Sequence, residues 1–402
     1  MSGISAIISY TNKPIINELL ESLYCIQHRG PNGYGIVYGD EDNLSVIKRE
    51  GLLHPNDFRN ITDNPTICLG KVINKSIDNV KDIQPTINHS ITTMRKFSKK
   101  TYVMINDINQ PNINDSFKSL IENLHNYDSV NINLIVKVLS GISIRGNTII
   151  YIIGIGLIVF RDIYGTRPLI IGERNKRYLI SSESISLDHL DYAILSYILP
   201  GEAYIFSDKG LITKGNYCKD TLYKPSVYEW LYISNNNSYI DNVSVLETRI
   251  NICNRLSAKI NKKIHNKKMD YIVPFPNTLT LTKVLSNDLN IPYREIIIKK
   301  DFTFIKDKPL YNIIGYLKNR TILLIIILES ELIDIDSMLF IIRELNKRGV
   351  KEIIIGSPII DEFYKNKLNK LNNCSVIHLG KDELCNSIRE INYNVEELSN
   401  VF

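Results

Sequence analysis

"RTILLIIILESELIDIDSMLFIIRELNKRGVKEIIIGSP" (Arg320 to Pro358) sets the fold class of the C-terminal half. It opens with "RTILLIIIL", apolar at nearly every position with no alternation, which reads as a strand buried on both faces. "DIDSMLFIIRELNKRG" follows with apolar residues at helical spacing and a closing glycine, a helix with its stop signal. "KEIIIGSP" is a second buried strand. Strand, helix and strand in this order indicate parallel strands joined by a crossover helix. Working outward toward the N-terminus, "DYIVPFP" is a strand, "LTLTKVLSNDLN" a helix and "YREIII" a strand, all preceded by the helix "VSVLETRINICNRLSAKINKKI". The pattern predicts a parallel sheet covered on both faces. The polar, turn-prone "SNNNSYIDN" (Ser234 to Asn242) marks the junction, and domains are expected at 1–235 and 236–402.

The N-terminal half has a different rhythm. "SGISAIISY", "YGIVYGD", "NLSVIKREG", "TYVMIND", "NTIIYIIGIGLIVFRD" and "RPLIIGE" are strand-like and separated by turn residues. "KPIINELLESLYCIQHRG" is an amphipathic helix, with Ile15, Ile16, Leu19, Leu20 and Leu23 on one face, Pro14 near the start and Gly30 at the end. A mostly antiparallel sheet region with helices packed on it is expected.

At 402 residues, with 44% hydrophobic and 23% charged residues, the chain has the composition of an ordinary globular protein. The net charge of +5 is spread along the chain; basic pairs such as Lys262-Lys263 and Lys299-Lys300 do not cluster with aromatics, so no nucleic-acid partner is expected. The longest apolar run, Ile149 to Phe160, is too short to span a bilayer and fits a buried strand or hairpin, so no membrane partner is expected. Six cysteines, none in a CxxC pair and with no signal peptide read before them, fit reduced thiols and a cytoplasmic location. The seven histidines are dispersed, and no metal site is expected.

The start, "MSGISAII", raises a chemical question. Removal of Met before so small a residue would leave Ser2 with a free α-amine beside its hydroxyl, a nucleophile carrying its own base. The same arrangement would also be left by a site that once held cysteine. The residues that bear on this are "MSGISAII", "LYCIQHRGPNGYGI", "FRDIYGTRPLIIGE", "LISSESISLDHL" and "PGEAYIF", in that order. Over 1–220 they resemble the glutamine amidotransferases of the N-terminal-nucleophile type, which carry Cys where this chain has Ser2. "SVYEWLYISNNNSYIDNVSVLETRINICNRLSAKI" and "DYIVPFPNTLTLTKVLSNDLNIPYREIIIKK" then resemble the junction and phosphoribosyltransferase domain of the amidophosphoribosyltransferase family. The resemblance covers essentially the whole chain. It implies an N-terminal αββα sandwich followed by a type I phosphoribosyltransferase domain with a parallel sheet. It also implies a cysteine that releases ammonia from glutamine, and a second site where ammonia displaces Mg²⁺-bound pyrophosphate from phosphoribosyl pyrophosphate (PRPP) in purine synthesis.

Set against that family, the chemical residues are altered at both sites. Where the family reads GHVRYxTxG, this chain reads "GKVINKSID", and Ile73 stands at the arginine that clamps the glutamine carboxylate. A bidentate charged clamp has no hydrocarbon substitute. "INDINQ" takes the place of HNGNLTN: Asn106 remains, but Asp107 replaces the glycine whose N–H holds the oxyanion, and one missing oxyanion donor costs about 3–4 kcal/mol. Arg29 is kept, as a site residue or as a cation at a helix end. Asp128 corresponds to the acid that holds the substrate α-amine. "RDIYGTRPL" reads as a structural turn with Arg161, Asp162 and Arg167 in ion pairs. In the PRPP motif, VLLVDDSIVRGTT in the family, both acids are Ile326 and Ile327, Leu332 stands at the loop glycine, and Glu329, Glu331 and Asp334 bring negative charge to the 5′-phosphate position. The upstream "PNTLT" lacks the acid of the pyrophosphate loop, and the flexible loop is shortened to Asp307–Arg320. The carboxylates near Asp334 and Asp336 fit a solvated loop and a helix cap.

The resemblance therefore leads to the expectation of a homologue with both sites lost. Mg²⁺ would not bind as in active relatives. With Ser226 at the junction and Cys374 and Cys385 wrongly spaced, no iron–sulfur cluster would form. A homo- or hetero-oligomer is expected, with an active amidophosphoribosyltransferase paralogue as the candidate partner. The rival expectation is an altered enzyme that uses Ser2 to cleave an amide or retains amidotransferase activity.

Overall fold

Apolar residues at successive positions of a strand cover both of its faces, and the N-terminal unit is built from such strands. The computed structural model describes residues 2–11, 13–40, 44–58, 61, 65–74, 80, 83–89, 101–108, 131–142, 144–218, 220–265, 267–299, 311–327, 335–360, 362–368, 370–371 and 373–389. Two units separate, the first running through Val245 and the second beginning at Leu246. This lies ten residues beyond the 235/236 boundary read from the polar stretch. Ser234–Asn242 belongs to the first unit because its polar groups are tied there: Asn235 N and Ser238 Oγ both donate to Glu183.

In the first unit the strands are β1 (Ser2–Ser9), β2 (Gly33–Gly39), β3 (Leu44–Glu50), β4 (Ile67–Ile73), β5 (Thr86–His89), β6 (Thr101–Asn106), β7 (Thr148–Ile152), β8 (Gly156–Phe160), β9 (Ile170–Arg174), β10 (Arg177–Ser181), β11 (Ala193–Tyr197), β12 (Glu202–Ser207) and β13 (Ile212–Asn216). They form a seven-stranded sheet in the order β11-β9-β10-β1-β4-β2-β3 and a six-stranded sheet in the order β13-β12-β8-β7-β6-β5. The paired strands are antiparallel. The long apolar run is the β7–β8 hairpin. Side chains alternate between faces. Ile4, Ala6 and Ile8 of β1 meet Val103, Ile105, Ile149 and Val159 of the other sheet, while Ile7 faces helix α1 (Ile16–Cys25). Helix α2 (Ile132–Leu139) covers the outer face of the six-stranded sheet through Leu134, Ile135 and Val138. Helix, sheet, sheet, helix gives the four-layered αββα sandwich. A short helix α3 (Ile185–His189) adds Leu187 beside α1.

The unit closes with the ribbon β14 (Tyr239–Ile240) and β15 (Val243–Ser244), turned at Asp241 and Asn242, both at positive φ.

In the second unit β16 (Tyr271–Pro274), β19 (Thr321–Ile325), β20 (Glu352–Ser357) and β21 (Cys374–His378) form a parallel sheet in that order. Helices α4 (Val245–Ile264), α5 (Leu279–Leu289), α6 (Ile335–Lys347), α7 (Glu362–Leu368) and α8 (Lys381–Arg389) alternate with the strands. Met338, Ile341 and Leu345 of α6 pack on Ile322, Leu324 and Ile353. On the other face, Gly356 lets Ile260 of α4 approach the sheet; a Cβ there would sit 3.3 Å from its Cδ1. "YREIII" departs from the expected alternation: β17 (Ile297–Lys299) pairs antiparallel with β18 (Tyr311–Ile313) in a separate ribbon. Ile297 is buried but Ile298 and Lys299 are exposed, which suits a two-stranded ribbon and not a sheet covered on both sides. Part of the segment read as a shortened flexible loop is therefore strand β18.

Candidate functional site

Strand register brings the first set of candidates together. Ser2 at the start of β1 pairs with Ile73 at the end of β4, and Ile4 pairs with Lys71. Residues directly opposite share a face, so Ser2, Ile73 and Lys71 all point between the two sheets. All three are buried. The Ser2 hydroxyl has no hydrogen-bond partner among the described residues, while its carbonyl accepts weak bonds from Arg29 Nε at 3.4 Å and Arg167 at 3.5 Å. Ile73 is hydrocarbon against this pocket, and the backbone of Gly30 packs on the backbone of Val72 and Ile73 too closely for any side chain at position 30.

Asn106 ends β6 beside this pocket, but its amide is already used. Nδ2 donates to Arg145 O at 3.1 Å and Thr148 Oγ1 at 2.9 Å, and Oδ1 accepts from Ile108 N at 2.8 Å. The neighbouring Asp107 carboxylate accepts from Asn147 N at 2.9 Å through one oxygen, and the other is buried without a partner. Burial, opposed by the nearby Arg167 charge, raises the Asp107 carboxyl to about 6. Lys71 Nζ donates to Gln84 Oε1 at 3.1 Å, and burial lowers its ammonium to about 7. Gln84 also accepts from Asn106 N at 2.9 Å, which ties β4, β6 and the residue before Pro85 into one buried polar group.

Arg29 sits at the centre of an ion-pair cluster. It is buried, with Glu229 gripped by both terminal nitrogens at 2.9 and 2.7 Å and Glu183 at 2.7 Å. It neutralises two buried acids and does not cap the helix. His28 Nε2 also meets Glu183 at 2.8 Å. Burial alone would raise the Glu183 carboxyl, but the His28 hydrogen bond and the Arg29 charge outweigh it and hold it at about 2. In "RDIYGTRPL", Arg161 grips Asp241 with both terminal nitrogens at 2.7 and 2.9 Å. Asp162 makes no ion pair among the described residues: its carboxylate accepts the N–H groups of Gly146 and Thr166 at 2.8 and 2.9 Å. The guanidinium of Arg167 reaches the Ser2 carbonyl. Asp128 lies outside the described residues.

The second set sits where β19 ends. Ile326 and Ile327 are fully buried, and Ile326 N donates to Gly356 O at 3.1 Å. These two side chains offer hydrocarbon, with no oxygen to accept a hydrogen bond from a ribose hydroxyl. In "PNTLT" the Thr278 hydroxyl donates to Ile325 O at 2.8 Å and accepts from Phe275 N at 3.1 Å, closing the loop on the strand end. Glu329, Glu331, Leu332 and Asp334 lie outside the described residues; Asp336 lies in the first turn of α6. Ser226, the junction residue, donates its N–H to Thr166 O at 3.0 Å.

Lys71, Gln84, Glu183 and Glu229 were not among the sequence candidates. Glu183 and Glu229 lie 154 and 200 residues from Arg29, inside the stretches "LISSESISLDHL" and "SVYEWLYISNNN", and nothing local in either points to Arg29 as the partner. Lys71 did have a signal, a lone cation within the apolar stretch Ile67–Ile73.

No family model matches the chain. It is 26% identical over 319 residues to the amidophosphoribosyltransferase of Escherichia coli strain K12, covering 72% of this chain and 63% of that protein. It is 26% identical over 337 residues to the amidophosphoribosyltransferase of Saccharomyces cerevisiae, covering 75% of this chain and 66% of that protein. The matched stretch thus spans less than two thirds of those relatives. Among solved structures, the allosteric regulatory enzyme of purine biosynthesis superposes with a TM-score of 0.77 at 18% identity, covering 96% of this chain and 91% of that one. The glutamine PRPP amidotransferase from B. subtilis complexed with ADP and GMP gives 0.76 at 18%, covering 99% and 94%. The described helices do not include one long and apolar enough to cross a membrane. In sequence the chain resembles the amidophosphoribosyltransferases, and its fold is theirs.

Proposed function

We propose that this chain is an amidophosphoribosyltransferase homologue that has given up catalysis at both sites and serves as a structural or regulatory subunit in the cytoplasm, as a homo-oligomer or with an active paralogue. One observation carries the reading. At each site the positions that would meet substrate are closed by the protein itself: Ile73, Ile326 and Ile327 are buried hydrocarbon, and the Asn106 amide is hydrogen-bonded to its own fold. An oxyanion needs a donor aimed at it and free to give. Asp107 adds a carboxylate where charge would develop. A glutaminase assay of Ser2→Cys tests this. The thiol restores the stronger nucleophile without restoring the clamp or the oxyanion donor, so no glutamine hydrolysis above background is expected. Turnover would show that the pocket is intact.

One observation favours a second reading, a Ser2-dependent amide hydrolase. The Ser2 hydroxyl is buried and unpartnered, and Lys71, on the same face, has an amine poised near neutrality. Serine needs such a base. A serine-reactive fluorophosphonate separates the readings: labelling of the wild type that Ser2→Ala abolishes supports the hydrolase, and absence of labelling supports the silent subunit.

A further inference from the structure

At the edge of the second unit where β16 and β19 begin, a groove of about 720 Å³ opens beside Tyr271. It lies at the opposite end of β19 from Ile326 and Ile327, about 20 Å away at ~3.3 Å per residue, so it is separate from the phosphoribosyl site. Its rim is cationic. Lys267, Lys268 and Arg320 line it with His265, against the single carboxylate of Asp270. Its wall is apolar, including Ile291 and the buried Met269.

The protein neutralises only part of this charge. Lys267 meets Glu352 at 2.5 Å and Arg320 meets Asp270 at 2.9 Å. Asp270 is occupied twice: it also accepts Thr321 N at 2.8 Å, and that bond first, with Arg320, holds its carboxyl below the usual range. It is a fixed anchor for Arg320 and not a mobile counter-charge. Lys268 makes no ion pair among the described residues. A second guanidinium, Arg294, lies over the Tyr271 ring at 4.8 Å, and Arg320 lies over the same ring at 5.8 Å. Stacking on an aromatic face orients a guanidinium while leaving its N–H fork able to donate.

A concave site of this volume is in the range of small-ligand pockets. It is larger than a bare inorganic anion needs, and it offers an apolar wall beside excess positive charge. We propose that this groove binds a phosphate-bearing small molecule, its phosphate held by Lys268 and Arg320 and its organic body laid against Met269, Ile291 and Tyr271. The proposal is independent of whether either family site is silent.

Calorimetry on the full chain tests it, with phenyl phosphate, inorganic phosphate and phenol as probes. Phenyl phosphate should bind tighter than either fragment, and Lys268→Glu should weaken it about tenfold or more, as expected for a charge-assisted contact turned repulsive. Lys268 is exposed, so the variant should retain the wild-type circular dichroism and melting temperature. Lys347→Glu, the same charge reversal at an exposed position of α6 outside the groove, should leave phenyl phosphate binding unchanged. Absence of binding at millimolar probe, equal binding by Lys268→Glu, or preference for single-stranded RNA over phenyl phosphate would overturn the proposal.

Discussion

Asp107 must be ionised, at neutral pH, in a place where one of its oxygens has no partner. Its folded carboxyl titrates near 6 against an ordinary value of 3.8. Its contribution to stability is therefore complete below 3.8 and is lost as pH rises through 6. Asp107→Asn removes that cost, so denaturant unfolding at pH 8 should show a gain of up to about 3 kcal/mol that vanishes near pH 4. Lys71 has the opposite profile: its ammonium is depressed from 10.5 to about 7, so stability is lost as pH falls from 10.5 to 7. Lys71→Met should therefore stabilise the protein at pH 7 more than at pH 10. The Arg29 cluster differs because both acids are paired. Glu183 stabilises the fold above 4.5 and loses its effect as pH falls toward 2. Glu229→Ala would leave Arg29 buried with one acid in place of two and should cost about 3–5 kcal/mol at pH 7. A loss below 1 kcal/mol would show that Arg29 is solvated.

At the scale of elements, continuous apolar strands correctly indicated sheets buried on both faces, because the physical signal is local and repeated. The αββα order came from motif resemblance, since strand pairing between β1 and β10, for example, joins residues some 176 apart. The β17–β18 ribbon was not legible for the same reason: "YREIII" is apolar enough for a buried strand, and only its partner shows that it is not one. Of the site, the substituted positions Ser2, Ile73, Ile326 and Ile327 could be read directly, whereas the role of Arg29 could not, since its two acids are distant in sequence. One loop links element to site. Gly146, at φ +81°, donates its N–H to Asp162, and a Cβ there would lie 2.5 Å from Asp107 Oδ1. Gly146→Ala should lower stability by about 1–3 kcal/mol in thermal or denaturant melts; an unchanged midpoint would show that the turn relaxes freely.

At the scale of the whole molecule, the proposed function is that of a fold kept while the chemistry-bearing positions were filled with hydrocarbon or tied into internal hydrogen bonds. Burying Ile326 and Ile327 at a strand end favours the sheet by roughly 1.5–3 kcal/mol each, whereas two acids there would each carry a desolvation cost unless a ligand paired them. That contrast is what the proposed function expects of a strand end that has no substrate to pair with. The most direct test is calorimetric titration of the full chain with Mg²⁺-PRPP. The account predicts no saturable heat at millimolar ligand, and micromolar binding would contradict it.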